Sequence, residues 1–249
     1  MTPVEYTDIA LLAGIAFFGA LVFGITGFGS ALVSIPLAIH LVPLPFALAL
    51  FALSDLASGF SVGLENPRNA VRAEWTRLVP MIFVGTALGV TLLVNLPRAA
   101  AMLLLGLFVL SFSIYTLVAR KKNYVVNSAW AWLAGFAGGV TSSLFGAGGP
   151  PYVIYLSQRG LGKEQFRATL GLTIMCSISL RVIAFFLTGL LLNSKVWLAA
   201  AAVVPSALAA IYLARKIFLR ISRELLMRAV ALLLFASGGS LVWRALTQI

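Results

Sequence analysis

Leu144-Phe145-Gly146-Ala147-Gly148-Gly149-Pro150-Pro151 interrupts a stretch of otherwise helical, apolar sequence. Three glycines disfavour helix and two prolines remove backbone donors, so a continuous helix cannot run through these residues. Proline suits the first position of a new helix, which makes the expected shape a helix, a glycine break and a second helix. Working outward, a related break lies half a chain earlier, at Phe23-Gly24-Ile25-Thr26-Gly27-Phe28-Gly29-Ser30. In lipid, broken backbone survives only where protein or a water-filled cavity satisfies its polar groups. Paired breaks in matching places of two half-chains point to a transporter's binding site. The competing reading is that these glycines only let helices pack closely.

Composition sets the class. Of 249 residues, 61% are hydrophobic and 10% charged, and mean hydropathy is +1.04. Soluble domains are about 45–50% apolar and 25% charged, so this is a polytopic membrane protein. The net charge of +11 does not imply nucleic acid, because the basic residues are scattered between apolar spans. One cysteine, Cys176, excludes an intrachain disulfide, and the single histidine, His40, argues against a histidine metal centre. No cofactor is implied. Glu5 and Asp8 precede the first apolar run with no basic residue, so the first span is expected to be retained rather than cleaved as a signal. No Walker lysine loop, His-Glu-x-x-His pair or serine elbow is present, which argues against an ATP-driven pump or an enzyme.

Apolar segments fall near 8–24, 29–43, 45–63, 77–95, 99–119, 128–145, 150–158, 167–192, 196–214 and 229–247. Segments 29–43 and 150–158 are too short to cross a bilayer, since a span takes about 20 residues. Each therefore reads as the returning arm of a hairpin, 8–43 and 128–158. With that topology, 14 of the 18 Lys and Arg share one face: Arg68, Arg72 and Arg77; Arg120, Lys121 and Lys122; Arg159, Lys163 and Arg167; and Arg215, Lys216, Arg220, Arg223 and Arg228. The positive-inside rule makes that face cytoplasmic and puts both termini outside. An offset of 121 pairs Ala13-Gly14 with Ala134-Gly135, Gly27 with Gly148 and Ala47 with Ala168. The expected fold is all-α and polytopic, with two inverted repeats, 1–122 and 123–249, each a glycine-broken hairpin plus three transmembrane helices.

Two charged residues lie at membrane depth, Asp55 and Arg181, where charge is costly and marks a functional site by default. Thr169, Thr173 and Ser177 lead up to Arg181 in steps of four, a polar stripe on one helix face. Ser54, Ser58 and Ser61 flank Asp55. In one reading Asp55 and Arg181 are a structural ion pair, and the hydroxyls bond the carbonyls of their own helices. In the other, Arg181 attracts an anion, and Thr26, Gly27, Gly29, Ser30, Gly146, Gly148 and Gly149 present half-helix N-termini to it. A pair that opens on substrate arrival unites the two, with Asp55, Ser54 and Ser58 as gating or coupling residues. His40 reads as interfacial, Cys176 as packing, and Trp75, Trp130, Trp132, Trp197 and Trp243 as interfacial anchors.

The segments AGIAFFGALVFGITGFGSALVSIPLAI (13–39) and AGFAGGVTSSLFGAGGPPYVIYLSQRGLGKEQFRATLGLT (134–173) resemble the TauE/SafE family of sulfite and organosulfonate exporters. The second is closer to the family pattern, while the first has Phe28 where small residues are usual. The resemblance implies a bacterial inner-membrane permease exporting a small anion, sulfite or an organosulfonate such as sulfoacetate. The alternatives are an anion channel or a membrane assembly protein without transport. The partners expected are the small anion and the lipid bilayer, and a homo-oligomer is compatible with this composition.

Overall fold

The structure is a computed structural model, described over residues 6–118, 125–217 and 223–247. The readings of Glu5, of Arg120, Lys121 and Lys122, of Arg220 and of a repeat boundary at 122/123 lie outside the described residues, as do the side chains of Arg223 and Arg228. Ten α-helices follow in order: α1 Tyr6–Thr26, α2 Ser30–Ala38, α3 Leu44–Gly63, α4 Arg72–Asn95, α5 Arg98–Val118, α6 Trp130–Phe145, α7 Gly149–Ser157, α8 Lys163–Leu187, α9 Ser194–Ile217 and α10 Arg223–Thr247. A 3-10 turn, Pro67–Asn69, joins α3 to α4. Six of these helices, α1, α3, α4, α5, α8 and α9, are long and apolar enough to cross a membrane. The protein is an all-helical polytopic membrane protein.

Both breaks form where glycine was expected to force them. Gly27 and Gly29 take left-handed φ of 85° and 94°, and Gly146 takes 70°. Any other L-residue in that region is strained by about 1–2 kcal/mol. The Thr26 hydroxyl donates to Val22 O at 2.9 Å and accepts from the Phe28 N–H at 3.2 Å, closing the first break on itself. At the second, the amides of Gly146 and Ala147 donate back to Ser142 O (2.9 Å) and Thr141 O (3.1 Å). The two half-helices are short, nine residues each.

The packing has a two-fold pattern. α1 packs along α9 and α6 along α4, while α3 packs on α8 and α5 on α10. Exchanging α1–α5 with α6–α10 maps this set of partners onto itself. The helix bounds give an offset of 119 residues, carrying Thr26 to Phe145, Ser30 to Gly149 and Leu44 to Lys163. The 121 read from matched small residues differs from it by two, within the spread of helix bounds. The offset also carries Ser54 and Ser58 onto Thr173 and Ser177. Along α4 and α6 the backbones nearly touch: a Cβ on Gly135 would lie 2.5 Å from Leu78 O, and one on Gly89 would lie 2.7 Å from Val140 O. Small residues give membrane helices this close approach. The rising register on both helices shows that α4 and α6 run parallel. α1 and α9 do the same, with the Ser206 hydroxyl on Ala13 O at 2.8 Å and Gly24 against Ala214.

One end of the bundle gathers the described basic clusters around acids. Glu65 accepts from Arg167 (3.1 Å) and Arg215 (3.0 Å). Asn69 donates to Glu164 at 3.2 Å. Glu74 sits with Arg77 and Arg159.

Candidate functional site

The two breaks meet in the centre of the molecule. A Cβ added to Gly149 would lie 2.7 Å from the Phe28 Cβ, and one added to Gly146 would lie 2.6 Å from the Ala31 Cβ and 2.8 Å from an Arg181 nitrogen. Between the breaks is a cavity of about 20 Å³, lined by Phe28, Gly29, Ser30, Asp55, Ser142, Gly146, Gly148, Gly149, Tyr152 and Ser177 among others. About 10–15 Å³ admits one water, so the space holds water and is too small for a sulfur oxyanion. The form described therefore has no room for the anion.

Arg181 and Asp55 are 1% and 3% exposed. Arg181 Nη2 donates to Asp55 Oδ2 at 2.8 Å, joining α8 to α3. Arg181 Nη1 donates to the carbonyl of Ser142 at 3.2 Å, joining α8 to the last turn of α6. Asp55 Oδ1, Arg181 Nε and the Ser58 hydroxyl are buried and without hydrogen-bond partners. A carboxylate and a guanidinium out of water are tolerable only as a pair, and removing one partner typically costs about 3–5 kcal/mol. The unpartnered atoms are costly too, since each forfeits solvation with nothing in return. Such orphaned groups beside a cavity suit a site that rearranges around a ligand.

Of the residues expected from sequence, the cavity brings together Gly29, Ser30, Gly146, Gly148, Gly149, Ser177 and Asp55, with Arg181 directly behind. The others sit apart from its lining. Thr26 braces its own break, and Gly27 contacts Leu170. Thr173 bonds Thr169 O at 2.7 Å, and Ser54 bonds Phe51 O at 3.1 Å. Thr169 bonds Gln165 O and receives the Val71 N–H at 2.9 Å, anchoring the start of α4. His40 is exposed, and Trp130, Trp132, Trp197 and Trp243 are exposed near helix ends.

Sequence reading missed Tyr152, fully buried, whose hydroxyl donates to Ser177 Oγ at 3.0 Å and ties the α7 arm to the polar face of α8. It also missed a buried latch. Glu74, 4% exposed on the first turn of α4, receives Arg159 Nε (3.0 Å) and Nη2 (2.8 Å). The Tyr155 hydroxyl donates to its other oxygen, and Arg159 Nη1 reaches Val126 O. Hydrogen bonding to Glu74 pushes Arg159 above the usual arginine range, so the latch stays charged. Its signal was available: four of only seven acids, Glu65, Glu74, Glu164 and Glu224, lie among the basic clusters, where they are placed to pair. A separate apolar groove of about 590 Å³ between α6 and α7, lined by Trp130, Leu133, Pro151 and Ile154, borders the latch at Tyr155 and has no charged residue in its lining.

Broken half-helices meeting over a buried charge pair, inside a bundle of membrane-length helices, define a polytopic membrane transporter. The chain belongs to the sulfite exporter TauE/SafE family, whose model matches residues 12–241. It is 26% identical over 202 residues to the probable inner membrane transporter protein TsaS of Comamonas testosteroni, covering 78% of this chain and 83% of that protein. No solved structure matches the chain.

Proposed function

We propose that the protein is a secondary carrier of the inner membrane that moves small sulfur oxyanions, sulfite or an organosulfonate such as sulfoacetate, outward by alternating access. The observation that carries this reading is the meeting of the two glycine breaks around Arg181 and Asp55 at a water-sized cavity. A carrier must occlude its site, whereas an open channel needs a continuous path. The two-fold pattern of partners and the opposed directions of the parallel pairs α1/α9 and α4/α6 support two inverted repeats. Assigning the basic end to the cytoplasm puts both termini outside.

In this mechanism Arg181 is the positive centre and Gly146, Gly148 and Gly149 let the second break approach the anion closely. Gly29 and Ser30 do the same from the first break, and Ser177 and Tyr152 supply hydroxyls. Thr26, Gly27, Thr169 and Thr173 shape the breaks and the α8 face behind them. Asp55, with Ser54 and Ser58 beside it, holds Arg181 until the anion replaces it. Opening the Glu74–Arg159–Tyr155 latch frees the α7 arm and connects the cavity to the cytoplasm. An inside-negative potential favours anion exit by about 2.3 kcal/mol per charge per 100 mV. Counterflow of labelled sulfite or sulfonate in proteoliposomes tests the reading: saturable counterflow is expected, and its absence in folded protein overturns it.

A further inference from the structure

We propose that Asp55 is a proton-binding site and that each anion enters the cavity together with one proton, which Asp55 takes up as it releases Arg181. The inference deepens the carrier reading and rests on it. It starts from charge balance. The buried pair is neutral as it stands, with Arg181 Nη2 on Asp55 Oδ2. Adding an anion beside it would leave one net negative charge at membrane depth, with a carboxylate and an oxyanion against one guanidinium. Like charges sharing a buried site cannot both stay ionised cheaply.

Among the described residues no other side-chain cation is placed to make up the difference. Of the helices packed on α3, α8 brings Arg181 to Asp55, while its Lys163 and Arg167 lie at the far basic end. α2 carries no titratable residue, and on α1 the described charge is Asp8 at the opposite terminus. On α9, Lys195 stands in the first turn, while Arg215, held by Glu65 and the Ser61 carbonyl, and Lys216, over the Tyr212 ring, stand in the last turn at the basic end. α6 has no charged residue, and α7 brings the Tyr152 phenol, engaged with Ser177. Among the described residues, a proton is therefore the available counter-charge.

The geometry accepts it. Asp55 Oδ1 is buried, without a partner, and belongs to the lining of a cavity with room for one water. A carboxyl proton on Oδ1 can be delivered through that water and can then donate to the Ser30 hydroxyl beside Asp55 or to the anion itself. In the step, a hydronium O–H bond breaks, a carboxyl O–H bond forms, and the Asp55–Arg181 hydrogen bond gives way to one from Arg181 to the anion. Release on the other side reverses it. A monoanion then crosses with no net charge, driven by its own gradient and not by the potential, and a dianion crosses with one negative charge on which the potential still acts.

The test is labelled counterflow in proteoliposomes with the potential clamped, first with sulfite, sulfoacetate and isethionate as probes. Isethionate, a sulfonate that stays ionised across the working range, or sulfoacetate then gives the pH series. In the wild type the half-saturating concentration should rise about tenfold per pH unit, the slope of one proton taken up on binding. Asp55→Asn should carry the anion with no such slope, because the amide cannot ionise and the anion itself balances Arg181. Since that variant leaves Arg181 without its carboxylate until substrate arrives, infrared difference spectra of the wild type give a second readout. A protonated-carboxyl band should appear on adding the carried anion and persist in Glu74→Gln, the other buried carboxylate among the described residues. A flat pH series together with no carboxyl band overturns the proton inference and leaves the carrier standing. Absence of counterflow with all three probes in folded wild type overturns the carrier reading itself.

Discussion

Arg181 and Asp55 are each tolerable because of the other, which lets structural and substrate roles be separated by removing both. Arg181→Gln combined with Asp55→Asn leaves no uncompensated charge and should fold, since neutral replacement of a buried pair is often benign. Transport should still be lost if Arg181 binds the anion. Near-normal uptake into inverted vesicles by the monodisperse double variant would assign Arg181 to structure alone. Arg181→Lys should keep part of the activity with weaker binding, because a point charge replaces a planar fork of donors that now reaches both Asp55 and the Ser142 carbonyl. The break itself is as exacting. A Cβ on Gly148 would lie 2.8 Å from Gly138 O and 2.9 Å from the Ser142 Cβ, so Gly148→Leu should insert in the membrane yet abolish transport. Wild-type flux in that variant would reduce the break to a packing feature.

The α7 arm has few means of holding its place. It is nine residues long, and isolated helices of that length are unstable in water, so its position comes from what grips its ends. Its start is fixed by Pro150, Pro151 and the contact of Gly149 with Phe28. Its far end is gripped by Glu74 through Tyr155 and Arg159. Glu74→Gln weakens a charge-assisted network to neutral hydrogen bonds, about half as strong each. A cysteine introduced at Ser142, in a Cys176→Ala background, should then label severalfold faster from the basic side of the bundle. Unchanged labelling would mean that the latch only stiffens the fold. Tyr155→Phe removes one bond and keeps the ring, and should give a smaller increase in the same assay.

At the scale of the whole molecule, α1/α9 and α6/α4 are equivalent pairs in the pattern of helix partners, and the proposed mechanism has the two halves rock about the centre between them. Such rocking is the motion an inverted repeat supplies. The topology this requires is testable without knowing the substrate. Cysteines near Arg72, Lys163 and Arg215 should label from the cytoplasm, and a tag at either terminus should be reached from outside. Labelling of any of those three positions from the periplasm alone would sink the inverted arrangement. The same face is held shut by Glu65 with Arg167 and Arg215. High salt should have little effect on the buried Glu74 latch and loosen the half-exposed Glu65 pairs, since screening acts on charges that water reaches.

Sequence alone carried the class, the two breaks, the short arms and the pair of charges at depth, because each is a local consequence of composition. Glycine and proline cannot sit in unbroken helix, and hydropathy with span length fixes what crosses a bilayer. It also carried the expectation that Asp55 and Arg181 point inward, since lipid offers charge no partner. Tertiary structure decided which of the stripe residues reach the cavity. Thr169, Thr173 and Ser177 share one face by spacing, yet only Ser177 lines the cavity, because Thr173 turns its hydroxyl to its own helix and Thr169 meets the start of α4. Phe28, unusual in its motif, is what meets Gly149 across the two breaks, a contact between residues about half a chain apart. The Glu74 latch likewise joins Glu74 to Arg159 and Tyr155, and no local pattern records that encounter. Local rules fix what a segment can be; which segments meet is settled by the packing of all ten helices at once.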